Sequence, residues 1–372
     1  MFFGRPCRGR GTLRPMGPHD SPLVVQEVAT LEELRDDWTR LAELDGDVFK
    51  TWEWARAWEE TWGSDGRVLL TFGRPGEPLA GIARLMRTGR KPVRVVGFEG
   101  QGPADQAGPV CDPKSRPAVA SALRRALATR LGRPGVMLAR GLMREEGWAA
   151  LLDGIVLQRR LSPVLDLGGL DWDGWLATKS TNFRQQVQRR ERKLVRDHGL
   201  AYRAIATAGE LPAAFEQLVA FHDARWQGES SFFSSDGRAL HGAFARVALE
   251  RGWLRLWVAE LDGRAAAYWL GYRYGGDYWF FQLARDPEWH RTSIGMVLLA
   301  HTVRCAFEDR AGRYRFLSGD HEYKLRFANA DAGHETVLVT SPRLAGPTRL
   351  GVAAVGRVPD PVKQRARKLL SH

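Results

Sequence analysis

Two glycine-containing dipeptides, close together in the second half of the chain, constrain the fold more than any other feature. Asp262-Gly263 and Gly275-Gly276 divide a stretch rich in apolar residues into three runs. Both central residues of a two-residue hairpin turn adopt positive φ, which Gly and Asp tolerate. The sequence therefore predicts an antiparallel meander with strands at 253–260, 264–274 and 277–284.

A largely apolar helix is predicted directly after this meander. Residues 293–309 carry Met296, Leu299, Val303 and Phe307 at helical spacing. The other elements predicted in this half are strands at 198–206, 313–318 and 335–341 and helices at 209–226, 238–250 and 320–327. An order of strand, two helices, meander, helix, strand, helix, strand indicates an α/β unit with a mixed sheet.

The first half is predicted to repeat the same order of elements. Its predicted strands are 23–28, 67–72, 78–86, 92–98, 136–140 and 155–166, and its predicted helices are 31–44, 51–62, 117–131 and 144–152. A chain of 372 residues is also long enough for two cores. We therefore expect a basic tail at 1–22, domains at 23–170 and 171–345, and a second basic tail at 346–372.

Composition and cysteine content exclude several classes of protein. Apolar residues make up 44% of the chain and charged residues 26%, as in folded globular proteins. No run approaches the roughly 18 apolar residues of a membrane-spanning helix, and the N-terminus lacks the apolar segment of a signal peptide. Cys7, Cys111 and Cys305 lie far apart, which indicates neither a disulfide framework nor a zinc site. We expect a cytoplasmic protein without a metal.

The formal net charge of +12 indicates an anionic partner: a nucleic acid, a membrane surface or a small molecule that carries phosphate. The densest cluster of cations lies in a predicted helix at 183–196, which Ser180, Thr181 or Asn182 is expected to cap. Its cations are Arg184, Arg189, Arg190, Arg192, Lys193 and Arg196. Both a solvated helix at the domain seam and a binding surface are compatible with this pattern.

The start of the helix after the meander is a candidate phosphate site. The first N–H groups of a helix are unpaired and carry partial positive charge, which attracts anions. His290 and Arg291 add donors, Ser293 is expected to cap the helix, and Gly295 lets a ligand approach the backbone.

The segment FLSGDHEYK, 316–324, is a candidate catalytic turn between a strand and a short helix. Asp320 is expected to cap that helix, from which Tyr323 and Lys324 project. Acyl transfer from a thioester needs an acid for the leaving thiolate and a base for the acceptor. Tyr323 suits the role of acid, and the candidate bases are Asp320, His321 and Glu322.

Residues at the end of the helix 209–226 are candidates for binding the acceptor. They are His222, Arg225 and Trp226, and Phe233 in the polar loop that follows has either this role or a place in the core. We find no nucleophile elbow, no phosphate-binding loop of the GxxxxGK[ST] type and no metal-spaced ligands. Direct transfer of an activated group is the simplest chemistry that remains.

The segments TNFRQQVQRRERKL, LARDPEWHRTSIGMVLLAHTV and FLSGDHEYKLRF resemble the GNAT-type bacterial acetyltransferase family associated with cellulose biosynthesis, which is similar to the Fem aminoacyltransferases. TWEWARAWEETWG and RVVGFEGQGPADQAGPV resemble its first half. The resemblance implies two GNAT folds in tandem, with acetyl-CoA or another acyl-CoA as donor. The chain departs from the family in its phosphate loop, RTSIGM, where either Ile294 stands in place of an expected glycine or the pattern is shifted by one residue.

The resemblance also implies roles for individual residues. Tyr323 matches the acid of many GNAT enzymes, and Asp320, Glu322 and Lys324 lie beside it. The donor's pantetheine arm would contact the residues around Leu283 and Ala284, and its pyrophosphate would contact Arg291, Ser293, Ile294, Gly295 and Met296. The first unit lacks this loop and is expected to be non-catalytic.

Three functions are compatible with these features. The leading one is an acyltransferase that acts on an amine or hydroxyl, with a small molecule or saccharide of cell-envelope or exopolysaccharide synthesis as the expected acceptor. The second is a Fem-like transferase with aminoacyl-tRNA as donor, which would use the basic helix. The third is a non-catalytic protein that binds an acidic partner or, peripherally, a membrane.

Overall fold

The computed structural model describes residues 22–340, except 89–94, 101, 130, 132–134, 227–229 and 231. The predicted tails 1–22 and 346–372 lie outside the described residues, apart from residue 22. The described part of the chain forms two β-sheets with helices packed on them.

The first half of the chain contains eight strands and four helices among its described residues. In chain order they are β1 (Val24–Val28), α1 (Arg35–Asp45), α2 (Trp52–Trp62), β2 (Arg67–Gly73), β3 (Gly81–Thr88), β4 (Val95–Phe98), β5 (Val110–Cys111), α3 (Arg116–Thr129), β6 (Val136–Met143), α4 (Trp148–Leu151), β7 (Ile155–Arg160) and β8 (Pro163–Asp166). The predicted order of elements is confirmed, with β5 as an addition.

The second half begins with a short helix that the sequence did not predict, α5 (Trp172–Ala177). It continues with α6 (Thr181–His198), β9 (Ala201–Ala204), α7 (Leu211–Trp226), α8 (Ser235–Glu250), β10 (Leu254–Leu261), β11 (Arg264–Tyr274), β12 (Asp277–Arg285), α9 (Ile294–Glu308), β13 (Arg313–Arg315), α10 (Glu322–Phe327), β14 (Ala330–Asp331) and β15 (His334–Thr340). The three-strand meander and the helix after it lie where predicted.

The two sheets have equivalent topologies. The first sheet has the order β1-β2-β3-β4-β6-β15-β7, with β5 paired to β3, and the second has the order β9-β10-β11-β12-β13-β8-β14. In each sheet the meander strands are antiparallel, and the third of them pairs in parallel with the strand that follows the next helix. The GNAT fold predicted in tandem is therefore present twice.

Each sheet contains one strand from the other half of the chain. β8 lies between β13 and β14 in the second sheet, and β15 lies between β6 and β7 in the first. The expectation of one strand over 155–166 is wrong, because the chain leaves the first sheet after Arg160 and enters the second at Pro163. Assigning the strand at 335–341 to the second unit is also wrong, since Val337 and Val339 are buried in the first core. The division near 170 stays a prediction.

The two units also share a core. Helices α6 and α9 cover one face of the second sheet, and α7 and α8 cover the other. Trp54 of α2 joins this second layer, with its ring 4.9 Å from that of Phe244. The hairpin turn at Gly275 lies against Gly46 so closely that a side chain at 275 would overlap the Gly46 backbone. This contact explains why the turn carries glycine at that position.

The basic helix α6 begins where the serine cap was predicted. Ser180 Oγ accepts a hydrogen bond from the N–H of Phe183 at 3.2 Å, which decides between the three candidate caps. Phe183, Val187 and Leu194 are buried against the second unit. The cations of the helix therefore lie on its other faces.

Candidate active site

The two parallel strands of the second sheet, β12 and β13, separate after a short pairing, and a cleft lies between them. β12 pairs with β13 only through Tyr278 and Trp279. The strand predicted over 313–318 ends early, at Arg315, because Phe316 donates its N–H to Pro163 and Leu317 adopts a positive φ of 58°. Beyond Trp279, no described strand continues the ladder on this edge of β12, so its backbone groups face the cleft.

A β-bulge in β12 lies beside this opening. Leu270 pairs with Gln282 and Gly271 with Phe280, so Phe281 is an extra residue in the strand. A side chain at Gly271 would overlap the ring of Trp269 and the carbonyl of Trp279. Bulges of this kind re-aim the side chains of a strand next to a site.

Helix α9 begins at the open end of the cleft. Ser293 occupies the cap position with a left-handed backbone (φ 61°), and its side chain makes no capping bond, so the predicted role as a cap is wrong. The hydroxyl of Thr292 accepts from the N–H of Ile294 instead, at 3.3 Å. A Cβ at Gly295 would lie 3.0 Å from Leu283 of β12, so only a small residue fits between helix and strand.

A cavity of about 520 Å³ lies between the edge of β12, the start of α9, the end of α7 and the turn before α10. Many of the predicted site residues line it. They are Leu283, Ser293, Gly295, Met296, His222, Arg225, Trp226, the candidate base His321, Tyr323 and Lys324. Four segments far apart in the sequence thus meet at one site.

The remaining predicted site residues lie outside the cavity lining. Ala284 is buried in the core on one face of the second sheet, because successive side chains of β12 point to opposite faces. Ile294 is buried in the core on the other face, where the first turn of α9 packs on the sheet. Phe233 packs in the core against His222 and Phe215. The side chains that are instead exposed are those of Arg291, Asp320 and Glu322. Asp320 also does not cap α10, whose cap position is His321.

Lys324 is the most deeply placed cation of the site, with 6% of its surface exposed. Its Nζ donates to the carbonyl of Ser318 at 2.7 Å and lies 5.6 Å from the ring centroid of Phe280. Burial lowers the pKa of the Lys324 ammonium to about 8, against the opposing effect of Asp105. Both protonation states of this amine are therefore accessible near neutral pH.

Tyr323 presents a protonated phenol to the cavity. Burial raises the pKa of its hydroxyl to about 12, and the nearby Arg225 opposes this shift. The side chain remains 38% exposed, so its hydroxyl is accessible to a ligand. A phenol in this state is a proton donor at neutral pH.

Two residues of the cavity were not assigned to this site by the sequence analysis. Asp105 lies in the first-half segment that resembles the family but was given no role there, and it accepts a hydrogen bond from the Ser318 N–H at 3.1 Å. Arg190 of α6 reaches the cavity and contacts the Met296 sulfur. Its position at the site follows only from how α6 packs on α9.

The cavity has a strong excess of positive charge. Arg190, Arg225, Arg285 and Lys324 line it, and Asp105 is the one carboxylate among the described lining residues. Burial, and to a smaller extent the positive charge of Arg225, lower the pKa of the Arg285 guanidinium. Such a site suits a ligand with several phosphate groups.

Residues 181–325 match the family described as Acetyltransferase (GNAT) domain. No curated protein matches the sequence significantly. The second unit is therefore similar to this family over those residues. The match covers α6, the cleft, the start of α9 and the Tyr323-Lys324 turn.

Solved structures share the fold of most of the chain, including both units, at low sequence identity. FemX is 12% identical, with a TM-score of 0.57 over 84% of this chain and 97% of that one. The C-terminal domain assigned to a lysylphosphatidylglycerol synthetase of Agrobacterium fabrum is also 12% identical, with a TM-score of 0.54 over 88% and 97%. A protein of unknown function from Bacteroides thetaiotaomicron is 11% identical, with a TM-score of 0.50 over 86% and 100%. These likenesses concern the fold alone.

Within the described residues, no group of three or more His, Cys, Asp and Glu side chains is arranged to bind a metal ion. Nor does any described helix combine the length and apolar character needed to cross a membrane.

Proposed function

We propose that the cavity of the second unit binds an acyl-CoA, with acetyl-CoA as the first candidate, and that the protein transfers the acyl group to an amine or hydroxyl acceptor. One observation carries this proposal: an unpaired strand edge leads to the start of a buried helix inside a cavity with four cations and one carboxylate. An extended ligand with amide groups at one end and phosphates at the other matches that arrangement.

Each part of the donor has a place in this proposal. The amides of the pantetheine arm pair with the free edge of β12 near Leu283, as a peptide adds to a sheet edge. The pyrophosphate lies at the first turn of α9 beside Gly295, where helix N–H groups attract anions. Arg190 and Arg285 lie within reach of the remaining phosphate charge.

The reaction is a direct attack of the acceptor on the thioester carbonyl. Tyr323 donates its phenolic proton to the leaving thiolate, and the Lys324 ammonium stabilises negative charge on the carbonyl oxygen. Asp320 and Glu322 do not line the cavity, which disfavours them as bases. Asp105, from the first unit, is the carboxylate placed to hold the acceptor, in line with the expected non-catalytic role of that unit.

Isothermal titration with acetyl-CoA tests the donor. Wild-type protein should bind it, and Gly295→Trp should lose at least about tenfold in affinity, since the larger side chain fills the space beside Leu283. The matched control is Pro117→Trp, at the same helix position in α3, where the residue is exposed. Absence of wild-type binding, or equal affinity in Gly295→Trp, would overturn the proposal.

The exposed cations of α6 favour a second candidate, a Fem-like transferase with aminoacyl-tRNA as donor. Arg189, Arg192 and Lys193 are exposed on the helix whose Arg190 enters the cavity. A tRNA that contacts them would bind with an affinity that falls steeply as salt rises. Titration of tRNA at several salt concentrations separates this candidate from the first.

The cytoplasmic location and a role in cell-envelope or exopolysaccharide synthesis stay predictions. The latter rests on the family resemblance of the sequence alone.

A further inference from the structure

Three polar side chains beside the cavity form a hydrogen-bonded chain that the proposed acyl transfer has not used. His222, near the end of α7, is 2% exposed. Its Nδ1 lies 3.2 Å from Asp223 Oδ1, and its Nε2 lies 3.3 Å from the Ser230 hydroxyl. His222 and Ser230 both line the cavity, whereas about half of the Asp223 side chain is exposed to solvent.

The contacts of this hydrogen-bonded chain are compatible with one protonation pattern. A neutral imidazole that donates Nδ1–H to Asp223 has its lone pair on Nε2, so Ser230 donates its hydroxyl proton to that nitrogen. The Ser230 oxygen also accepts from the N–H of Phe232 at 3.3 Å. A hydroxyl oxygen has two lone pairs, so one remains to accept a proton from a ligand in the cavity.

The hydrogen-bonded chain of Ser230, His222 and Asp223 has different surroundings from the end of the cavity where the phosphates are proposed to bind. Trp226, Phe232 and Phe281 form an aromatic wall beside His222. Arg190 and Arg285, by contrast, line the cavity near the start of α9. The aromatic end suits an uncharged part of an acceptor, whose polar group would meet Ser230.

We propose that Ser230, His222 and Asp223 form a proton relay that activates a hydroxyl acceptor, so that the product is an ester. This inference rests on the proposed acyl-CoA-dependent function. A hydroxyl keeps its proton until it attacks and needs a base in the transition state, whereas a neutral amine attacks without one. A histidine oriented by a carboxylate is the base that this chemistry uses.

The proton and electron balance of the step is complete. The acceptor oxygen forms a bond to the acyl carbon as its proton passes to Ser230 Oγ, and the serine proton passes to His222 Nε2. The carbon–sulfur bond breaks, and the thiolate takes the Tyr323 proton. The imidazolium then returns a proton to the phenolate through solvent, which leaves an ester and free CoA.

A packing role is the alternative explanation for His222, whose ring lies 5.0 Å from Phe233 and 5.9 Å from Phe232. Release of CoA from acetyl-CoA with two probe acceptors separates the two roles. Methanol needs a base, and methoxyamine, a neutral nucleophile of similar size at pH 7, does not. A packing defect would slow both reactions equally.

With methanol, we expect Ser230→Ala and His222→Gln to slow CoA release by about 100-fold or more, and Asp223→Asn by less, in line with general-base catalysis. With methoxyamine, the same variants should stay within about twofold of wild type. His198→Gln is the matched control, because His198 pairs with Asp262 at 3.1 Å outside the cavity. It should change neither rate.

Three results would overturn the relay while leaving donor binding intact: equal losses with both probes, no wild-type reaction with methanol, or an acetyl group found on Ser230 by mass spectrometry. The last result would make Ser230 the nucleophile. Loss of acetyl-CoA binding by wild-type protein in titration would instead overturn the proposed function itself, so the two failures are distinguishable.

Discussion

The two units share one topology but differ at the point where the parallel strands separate. In the second unit, β12 ends at Arg285 and α9 begins at Ile294, with Gly295 in its first turn. In the first unit, β4 ends at Phe98 and α3 begins only at Arg116, after the additional strand β5. Pro117 then removes one N–H from the start of α3. The same fold thus presents the proposed anion-binding helix start in one unit and a helix start with one N–H fewer in the other.

The two units also differ in whether their buried cations are paired with carboxylates. In the first unit, the Lys50 ammonium lies 3.0 Å from Asp45, 2.8 Å from Glu146 and 3.9 Å from Asp47. Arg116, at the start of α3, is also paired with Glu146. In the second unit, the cations of the cavity outnumber its carboxylates. Charge in the first unit is therefore neutralised within the protein, whereas the second unit leaves it available to a ligand.

The largest effect is expected when the buried lysine of each unit is replaced by methionine. Lys50→Met leaves the buried carboxylates of Asp45 and Asp47 without their cation, whereas Glu146 keeps Arg116, and it should lower the free energy of unfolding by about 3–5 kcal/mol. Lys324→Met loses one hydrogen bond to Ser318 and should lower it by about 1 kcal/mol. Urea unfolding of both variants measures the difference.

Lys114→Met, on the exposed surface, controls for the substitution itself. Equal destabilisation by Lys50→Met and Lys324→Met would contradict the division into a structural and a functional lysine. A large stability loss in Lys324→Met alone would indicate that Lys324, and not Lys50, is the structural lysine.

Replacing the candidate acid of the second unit is expected to affect chemistry more than binding. Tyr323→Phe should slow acyl transfer by about 10- to 100-fold, because the phenol that protonates the thiolate is lost. Affinity for acetyl-CoA should stay within about twofold. Steady-state rates and titration measure the two quantities, with Tyr202→Phe, whose hydroxyl bonds Glu191 on α6, as the control. An unchanged rate would remove Tyr323 as the acid.

The buried acids of the first unit predict how stability depends on pH. Burial raises the pKa of Asp45 to about 7 and that of Asp47 to about 6, against about 3.9 in an unfolded chain. The folded state therefore binds more protons between pH 4 and 7. The stability that these groups contribute is fully present below about pH 4 and is lost as the pH rises through 6 and 7.

The expected slope is up to about 1.4 kcal/mol per pH unit for each proton released. Lys50 and Arg116, against the effect of burial, hold the pKa of Glu146 below its usual range, so Glu146 does not titrate in this window. Urea unfolding between pH 5 and 8 should show a flatter dependence in Asp45→Asn/Asp47→Asn than in wild type. An unchanged slope would mean that other groups cause it.

Much of the fold was predictable because local signals and global topology agree. The Asp262-Gly263 and Gly275-Gly276 turns adopt positive φ as expected and define the meander. The exchange of β8 and β15 between the sheets was not predictable. β15 carries its apolar alternation whichever sheet it joins, and β8 is a short apolar run without alternation. Only the packing of Leu165 on a core of the second unit and of Val337 and Val339 on the first core decides where the two strands lie.

The candidate site was predictable in its parts and not as a whole. Helix spacing and turn residues located Gly295 and Tyr323 on their own elements. Asp105 and Arg190 reach the cavity through contacts between distant segments, which no local pattern encodes. The segment 316–324 also misled in one respect: Asp320 precedes the helix closely enough to suggest a cap, but α10 begins one residue later than that role requires.

The smallest effects are expected on α6, where neighbouring cations lie on different faces. Arg190 lines the cavity, so Arg190→Ala should weaken acetyl-CoA binding by about tenfold, the loss of one hydrogen bond to a charged group. Neutralising Arg189, Arg192 and Lys193 together should change it by about twofold or less, because exposed charges act weakly through solvent.

The same two variants test which donor the second unit takes. If the donor is aminoacyl-tRNA, the triple variant should weaken tRNA binding and reduce its dependence on salt, since fewer phosphates are neutralised. If the donor is acyl-CoA, only Arg190→Ala should have a marked effect. A large loss of acetyl-CoA affinity in the triple variant would place the outer face of α6 at the donor site. The proposed difference between the exposed face of α6 and the face that carries Arg190 would then be wrong.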